Sequence, residues 1–292
     1  MTMHSSFSVY ILLAVTSSAA MATSSIDERL KEEEKLKELS FSIIPHKPNY
    51  LLPFTYNEMI KDYDVYQGTY SEGEQRSIEM KFQISFKIPL FAIDRVPLFN
   101  DPIAFYFGYT QTSFWQAYST DNSSPFRESN YEPEFFAVWQ SNKQLSDNWN
   151  FKFATASFTH QSNGQTGDLS RSWNRIEGNF IFENNNLAIT ATPWYRIPES
   201  ASEDDNADLL DYYGHGKLAA IYTLGENTLT LTSRNNLESH FSKGSVSVDW
   251  SFPVGSHVRG YVQVFSGYGN SLIEYNEYTN TIGLGISLTD WL

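Results

Sequence analysis

Along residues 245–252, Ser-Val-Ser-Val-Asp-Trp-Ser-Phe, apolar and polar positions alternate without a break. Val246, Val248, Trp250 and Phe252 fall on one side; Ser245, Ser247, Asp249 and Ser251 fall on the other. A period of two is the mark of a β-strand with one apolar face. The same alternation runs through residues 227–232 and 257–265, and through 281–288, where Ile282, Leu284, Ile286 and Leu288 share a side. Twelve such segments can be drawn: 49–57, 78–91, 103–115, 131–141, 150–162, 172–184, 186–197, 212–224, 226–234, 244–253, 256–268 and 278–290.

Many alternating strands fit two architectures, a soluble sandwich or barrel with its apolar face inside, or a membrane barrel with that face outside. The intervening positions carry Arg, Gln, Asp and repeated Ser and Thr, and aromatics gather near strand ends, at Trp149, Trp173, Trp194, Tyr195, Tyr212 and Tyr213. With an even strand count, this predicts an all-β fold, a twelve-stranded antiparallel transmembrane β-barrel of the bacterial outer membrane over residues 47–292, with a polar, hydrogen-bonded interior. A mean hydropathy of -0.39 is no objection, because half of each strand faces polar neighbours.

The N-terminal residues agree with this setting. Residues 8–22 form a short apolar run followed by small residues, with Ala20 and Ala22 in an A-x-A arrangement, and predict a secretory signal peptide over 1–22. Its n-region is weak, with His4 as its one candidate side-chain charge; a buried strand or short helix is the other reading of this run. Residues 23–46 follow as a charged segment, and 26–39 (IDERLKEEEKLKEL) reads as a solvated helix or a disordered leader. A formal charge of -14 argues against a nucleic-acid partner, since no basic face is available to neutralise phosphates. The chain has no cysteine, which excludes a disulfide framework, a thiolate metal site and a thiol nucleophile.

The candidate chemistry lies in the run 158–175, FTHQSNGQTGDLSRSWNR. In the strand 150–162, Ala154, Ala156, Phe158, His160 and Ser162 share a face, which is the apolar, lipid-side set. His160 and Ser162 are therefore about 6.6 Å apart along one strand, at a place where polar side chains are costly unless they serve something. H-x-S alone is weak, because His4 and His240 also precede a serine by two. A hairpin, however, folds Asn174 back beside His160, where its amide oxygen can accept the imidazole N–H. Ser, His and Asn so arranged are suited to acyl transfer as nucleophile, base and orienter, and the neutral Asn avoids a bare carboxylate near lipid. The outward face of the strand 103–115 holds a second anomaly, reading Ile103, Phe105, Phe107, Tyr109, Gln111. An amide without a partner in hydrocarbon is costly, and the same Gln across a two-fold axis would satisfy it; snorkelling to the interface is the other reading.

These motifs, HQSNG with SRSWNR, YTQTSFWQ (109–116), SSPFRESNYEPEFF (123–136) and FSGYGNSLIEYN (265–276), resemble the outer membrane phospholipase A family, in order, from about Asn49 to the C-terminus. The resemblance implies a phospholipid acyl hydrolase that depends on calcium and acts as a homodimer. By matching positions it makes Ser162 the nucleophile, His160 the general base and Asn174 the orienter, and gives the Gly164 amide to the oxyanion site. It places the Ser170 hydroxyl and the Gln165 backbone carbonyl on calcium, joined by the Ser123 hydroxyl of the partner subunit, and Gln111 in the dimer interface. Oxygen donors suit calcium. Position 165 is commonly Arg in the family, to which a carbonyl ligand is indifferent.

Two features stand apart from this. The chain ends Trp291-Leu292, where outer-membrane barrels often end in an aromatic, and no GxSxG occurs, so a soluble α/β-hydrolase lacks its nucleophile elbow. His46, His215, His240 and His257 show no ligand spacing and read as structural or surface residues. A passive pore or a structural barrel without catalysis remains the competing reading.

Overall fold

In the computed structural model, residues 25–37, 42–58, 76–94, 96, 101–240, 242–255 and 258–290 are described. The expected signal peptide, His257 and the terminal Trp291-Leu292 lie outside them. In chain order the elements are α1 (Ser25–Lys37), β1 (Ile44–Pro45), β2 (Asn49–Asn57), β3 (Ile78–Ile93), β4 (Ile103–Trp115), β5 (Phe126–Gln144), β6 (Asn150–Ser162), β7 (Ser172–Asn184) and β8 (Leu187–Arg196). They continue with α2 (Leu209–Tyr213), β9 (Gly216–Leu224), β10 (Asn227–Asn235), β11 (Gly244–Pro253), β12 (Arg259–Tyr268) and β13 (Tyr278–Thr289). Strands β4 to β13 pair with their sequence neighbours, β13 pairs with β2, β2 with β3, and β3 with β4. The twelve strands β2–β13 thus close on themselves with no free edge, and the two-residue β1 extends the edge of β2 along β3.

Closure follows from the solvent. Hydrocarbon satisfies no backbone N–H or C=O, so a sheet can cross it only with every edge paired. The side-chain alternation obeys the same solvent: Phe107, Phe135, Phe158, Ile176, Leu231, Trp250, Ile282 and Leu284 are exposed on the outer face, while the intervening polar residues are buried inside. Within the lumen Arg175 bonds Glu132 at 2.8 Å and Glu177 at 2.8 Å, and Lys47 pairs with both Glu132 and Glu134. No helix among the described residues is long and apolar enough to cross a membrane.

One end of the barrel has tight turns, including the two-residue connections 185–186 and 225–226; the other has longer loops at 116–125, 163–171, 197–215 and 269–277. Short turns face the periplasm and long loops the exterior in such barrels. The long loops build a roof. Trp173, Trp194, Leu209, Tyr213, Leu272 and Tyr275 form one buried cluster, and fully buried Arg127 on β5 joins Glu79 of β3, at 2.7 Å, to Glu274 of the roof.

Two expectations are corrected here. Residues 212–215 do not begin a strand: Tyr212 and Tyr213 belong to α2, and Gly214, at φ +66°, ends it before β9 starts at Gly216. Trp173, Trp194 and Tyr213, read from the sequence as aromatics near strand ends of a membrane barrel, are buried in the roof cluster.

The charged run read as a solvated helix or disordered leader forms the helix α1, and its inner face is docked in the lumen rather than solvated. Ile26 is buried against Ala188 and Ile221, with Leu30 packed alongside. Asp27 pairs with Lys152 at 2.6 Å, Glu33 with Lys87 at 2.8 Å, and Arg29 donates to the His46 carbonyl at 2.9 Å. These partners sit on β3, β6, β8 and β9, on several sides of the wall, so the helix lies across the periplasmic half of the lumen. A cavity of about 570 Å³ lies beside it, lined by Leu30, Tyr106, Phe136 and Phe153 among others.

Candidate active site

The hairpin β6–β7 sets the site. Its register places His160 opposite Asn174 and Ser162 opposite Ser172, so the side chains share the outer face just above the exposed apolar pair Phe158 and Ile176. His160 Nδ1 lies 2.9 Å from Asn174 Oδ1. The Asn174 Nδ2 donates to Glu199 Oε1 at 2.8 Å. With the amide nitrogen so engaged, the amide oxygen faces the ring, and the ring nitrogen bonded to it must be the protonated one. His160 Nε2 is left as the free base. The Ser162 hydroxyl, two residues on along the same face, makes no hydrogen bond to the ring in this structure; such contacts often tighten only when substrate engages.

Beyond Ser162 the chain enters the loop 163–171, which Asn163 pins. This buried amide donates to the Leu169 carbonyl at 2.8 Å and to Glu128 Oε2 at 3.4 Å, and accepts from the Gln165 and Arg171 N–H groups at 3.3 and 3.0 Å. All four of its hydrogen-bonding capacities are used. Gly164 takes φ +69°, and a Cβ there would lie 3.1 Å from the Tyr131 ring, so the backbone conformation and the space both favour glycine. Its N–H makes no hydrogen bond among the described residues, which leaves it free to donate outward beside Ser162.

The expected metal donors are on the same rim. Gln165 and Ser170 flank the 3₁₀ turn Gly167–Leu169, and Ser123 lies in the neighbouring loop 116–125 with φ +58°. Among the described residues the hydroxyls of Ser123 and Ser170 have no hydrogen-bond partner, so they are available as ligands. No group of three or more His, Cys, Asp or Glu side chains able to hold a metal occurs among the described residues. A donor set of hydroxyls, a carbonyl and water is still one that a hard cation such as calcium accepts, so the residues fit the ion.

Gln111 is on the outer face of β4, but the expectation of an amide without a partner in its own chain is corrected. It accepts from the Tyr109 hydroxyl at 3.2 Å and donates to Ser113 Oγ at 3.1 Å. One N–H and one lone pair remain for a partner. Sequence reasoning missed Asn163, Glu128 and Glu199. Glu128, which also accepts from Asn130 at 2.6 Å and from the Ile273 N–H at 3.3 Å, ties the loop to the roof.

A closed β-barrel with an apolar outer belt, carrying Ser, His and Asn together on that outer face, defines a class, the outer-membrane β-barrel enzymes. The family model described as phospholipase A1 matches residues 26–288. A phospholipase A1 of Salmonella typhimurium is 37% identical over 251 residues, covering 86% of this chain and 82% of that protein. The solved dimer of outer membrane phospholipase from Salmonella typhi with bound calcium has a TM-score of 0.77 at 36% identity, covering 86% of this chain and 93% of that one. A solved active-site variant of Escherichia coli outer membrane phospholipase A, in which an asparagine is replaced by alanine, has a TM-score of 0.75 at 33% identity and covers 87% of this chain and 95% of that one. The chain belongs to the phospholipase A1 family. It is a phospholipase of the bacterial outer membrane.

Proposed function

We propose that the chain hydrolyses acyl esters of phospholipids and lysophospholipids by a Ser–His–Asn mechanism, depends on calcium and acts as a homodimer. The observation that carries this reading is the 2.9 Å contact between His160 and Asn174 on the lipid-side face of β6–β7. Ser162 Oγ attacks the ester carbonyl carbon while His160 Nε2 takes its proton. The Gly164 N–H donates to the oxyanion as it develops. Collapse of the intermediate expels the alcohol of the lysolipid, which takes the proton from His160. Water, deprotonated by the same nitrogen, then releases the fatty acid and restores Ser162.

Ser170, the Gln165 carbonyl and Ser123 of the partner subunit would hold calcium, and the bound ion would supply positive charge beside the oxyanion position. The calcium-bound dimer of the Salmonella typhi relative and the alanine variant of an active-site asparagine in the Escherichia coli relative support this reading. The helix α1 across the lumen argues against a passive pore. The test is fatty-acid release from micellar phospholipid, with calcium and with a chelator, for wild type and Ser162→Ala. Release should require calcium and fall below a tenth in the variant. A variant that keeps more than a tenth of the wild-type rate would remove Ser162 as nucleophile.

A further inference from the structure

Among the described residues, Glu199 is the one formal charge hydrogen-bonded to the proposed triad. It lies three residues past the end of β8, and the bonding to β7 continues to within two residues of it: the Ile197 N–H donates to the Asn174 carbonyl at 2.8 Å. The segment is anchored again further on, where Arg196 reaches Asp204 at 2.6 Å and the Asn206 carbonyl at 2.9 Å, and where the Ser172 N–H donates to Asn206 Oδ1 at 3.2 Å. Both sides of Glu199 are thus fixed against the strand that carries Asn174. We propose that Glu199 is a positioning residue of the esterase site, acting through Asn174; this rests on the Ser–His–Asn reading above.

The argument is one of charge and orientation. An asparagine in third place cannot by itself supply the negative charge that a carboxylate supplies to the imidazolium formed during acyl transfer. Its amide can also sit in either of two orientations, and only one presents oxygen to the ring. The 2.8 Å bond from Asn174 Nδ2 to Glu199 Oε1 selects that orientation. It also polarises the amide, so that Oδ1 becomes a better acceptor as His160 gains charge. A carboxylate one amide removed from the ring keeps its charge at the wet rim, clear of hydrocarbon, and still biases the ring electrostatically.

Among the described residues, Tyr131 pairs with Ser162 across β5–β6, Tyr195 pairs with Ile176 across β7–β8, and the loop adds Asp168 and Arg171. Arg171 is turned away, donating to the Asp168 and Ser170 carbonyls at 2.8 and 2.6 Å and lying over the Tyr275 ring.

The test compares Glu199→Gln, which keeps an acceptor of the same shape and removes the charge, with Glu199→Ala, in full-length protein with saturating calcium. The readout is the pH profile of kcat/KM on micellar phospholipid. Glu199→Gln should lower the plateau about three- to tenfold and move the acid limb to lower pH by about half a unit, the equivalent of about threefold. Glu199→Ala should lose at least as much. In an Asn174→Ala background, Glu199→Gln should have no further effect, because its path to the ring is gone. A Glu199→Gln protein with wild-type plateau and wild-type acid limb would overturn the proposal, as would equal effects with and without Asn174. Ser162→Ala run in parallel keeps the questions separate: activity there overturns the underlying reading, whatever Glu199 does.

Discussion

In the proposed triad Asn174 would orient the imidazole without making or breaking a bond, and its replacement should therefore be milder than loss of Ser162 or His160. We expect Asn174→Ala to retain a measurable rate where Ser162→Ala and His160→Ala retain close to none, all three judged on folded barrels by fatty-acid release. Equal and complete loss in all three would give Asn174 a direct chemical part. Gly164 is under a different constraint. At φ +69° with the Tyr131 ring beside it, Gly164→Ala should swing the proposed oxyanion donor and lower kcat at least about tenfold, since one such donor is worth about a hundredfold or more. KM should change little. An unchanged kcat would remove this amide from the oxyanion site. A serine-directed phosphonate should label Ser162 in the Asn174→Ala protein more slowly than in wild type, and should not label Ser162→Ala.

The elements differ in how far the sequence discloses them, and the differences have physical causes. Strands were legible because lipid imposes an apolar residue at every second position; even the longest, β5, was recognised from its middle, though its ends at Phe126 and Gln144 run past the alternation. The pairing of His160 with Asn174 was legible because a hairpin brings together residues on either side of one turn. Glu199 was not, because it reaches Asn174 only through the loop that follows β8. The docking of α1 was equally hidden, since Lys87 and Lys152 lie far from it in the chain. If α1 closes the lumen, deleting residues 25–37 should raise single-channel conductance in planar bilayers without abolishing ester hydrolysis; an unchanged conductance would mean that the helix seals nothing. Acid should mimic the deletion. Burial pushes the Glu33 carboxyl up, but Lys87, and then Arg29, outweigh that push and hold it below its ordinary value. A carboxyl lowered on docking stabilises the docked state above its free value of about 4.3, and that stability is lost as pH falls through the docked value. Openings should therefore become more frequent as pH falls below that free value, and Lys87→Met should shrink that acid dependence.

The barrel as a whole has its proposed catalytic row on the outside, at the rim, and this makes control a matter of what lies against that face. If the Ser123 hydroxyl of the partner subunit joins Ser170 and the Gln165 carbonyl on one calcium ion, a complete metal site exists only where two barrels meet. Among the described residues no cluster of three or more carboxylates, His or Cys would hold the ion alone, so calcium should bind monomers weakly and dimers tightly. Linkage then requires the reciprocal effect, that calcium itself favours dimerisation. Gln111, with one N–H and one lone pair still free after its bonds to Ser113 and Tyr109, would add a satisfied amide pair across the two-fold axis. In an intact bilayer, dispersed monomers would stay silent; damage that brings subunits and loose lipid together would switch them on. The measurement is sedimentation in detergent with calcium and with chelator, alongside fatty-acid release, for wild type, Ser123→Ala and Ser170→Ala. We expect calcium to shift wild type toward dimer at least tenfold in dissociation constant, and both variants to lose most of that shift together with their activity. Dimerisation indifferent to calcium, or full activity in a stable monomer, would sink this mechanism while leaving the roles of Ser162 and His160 intact.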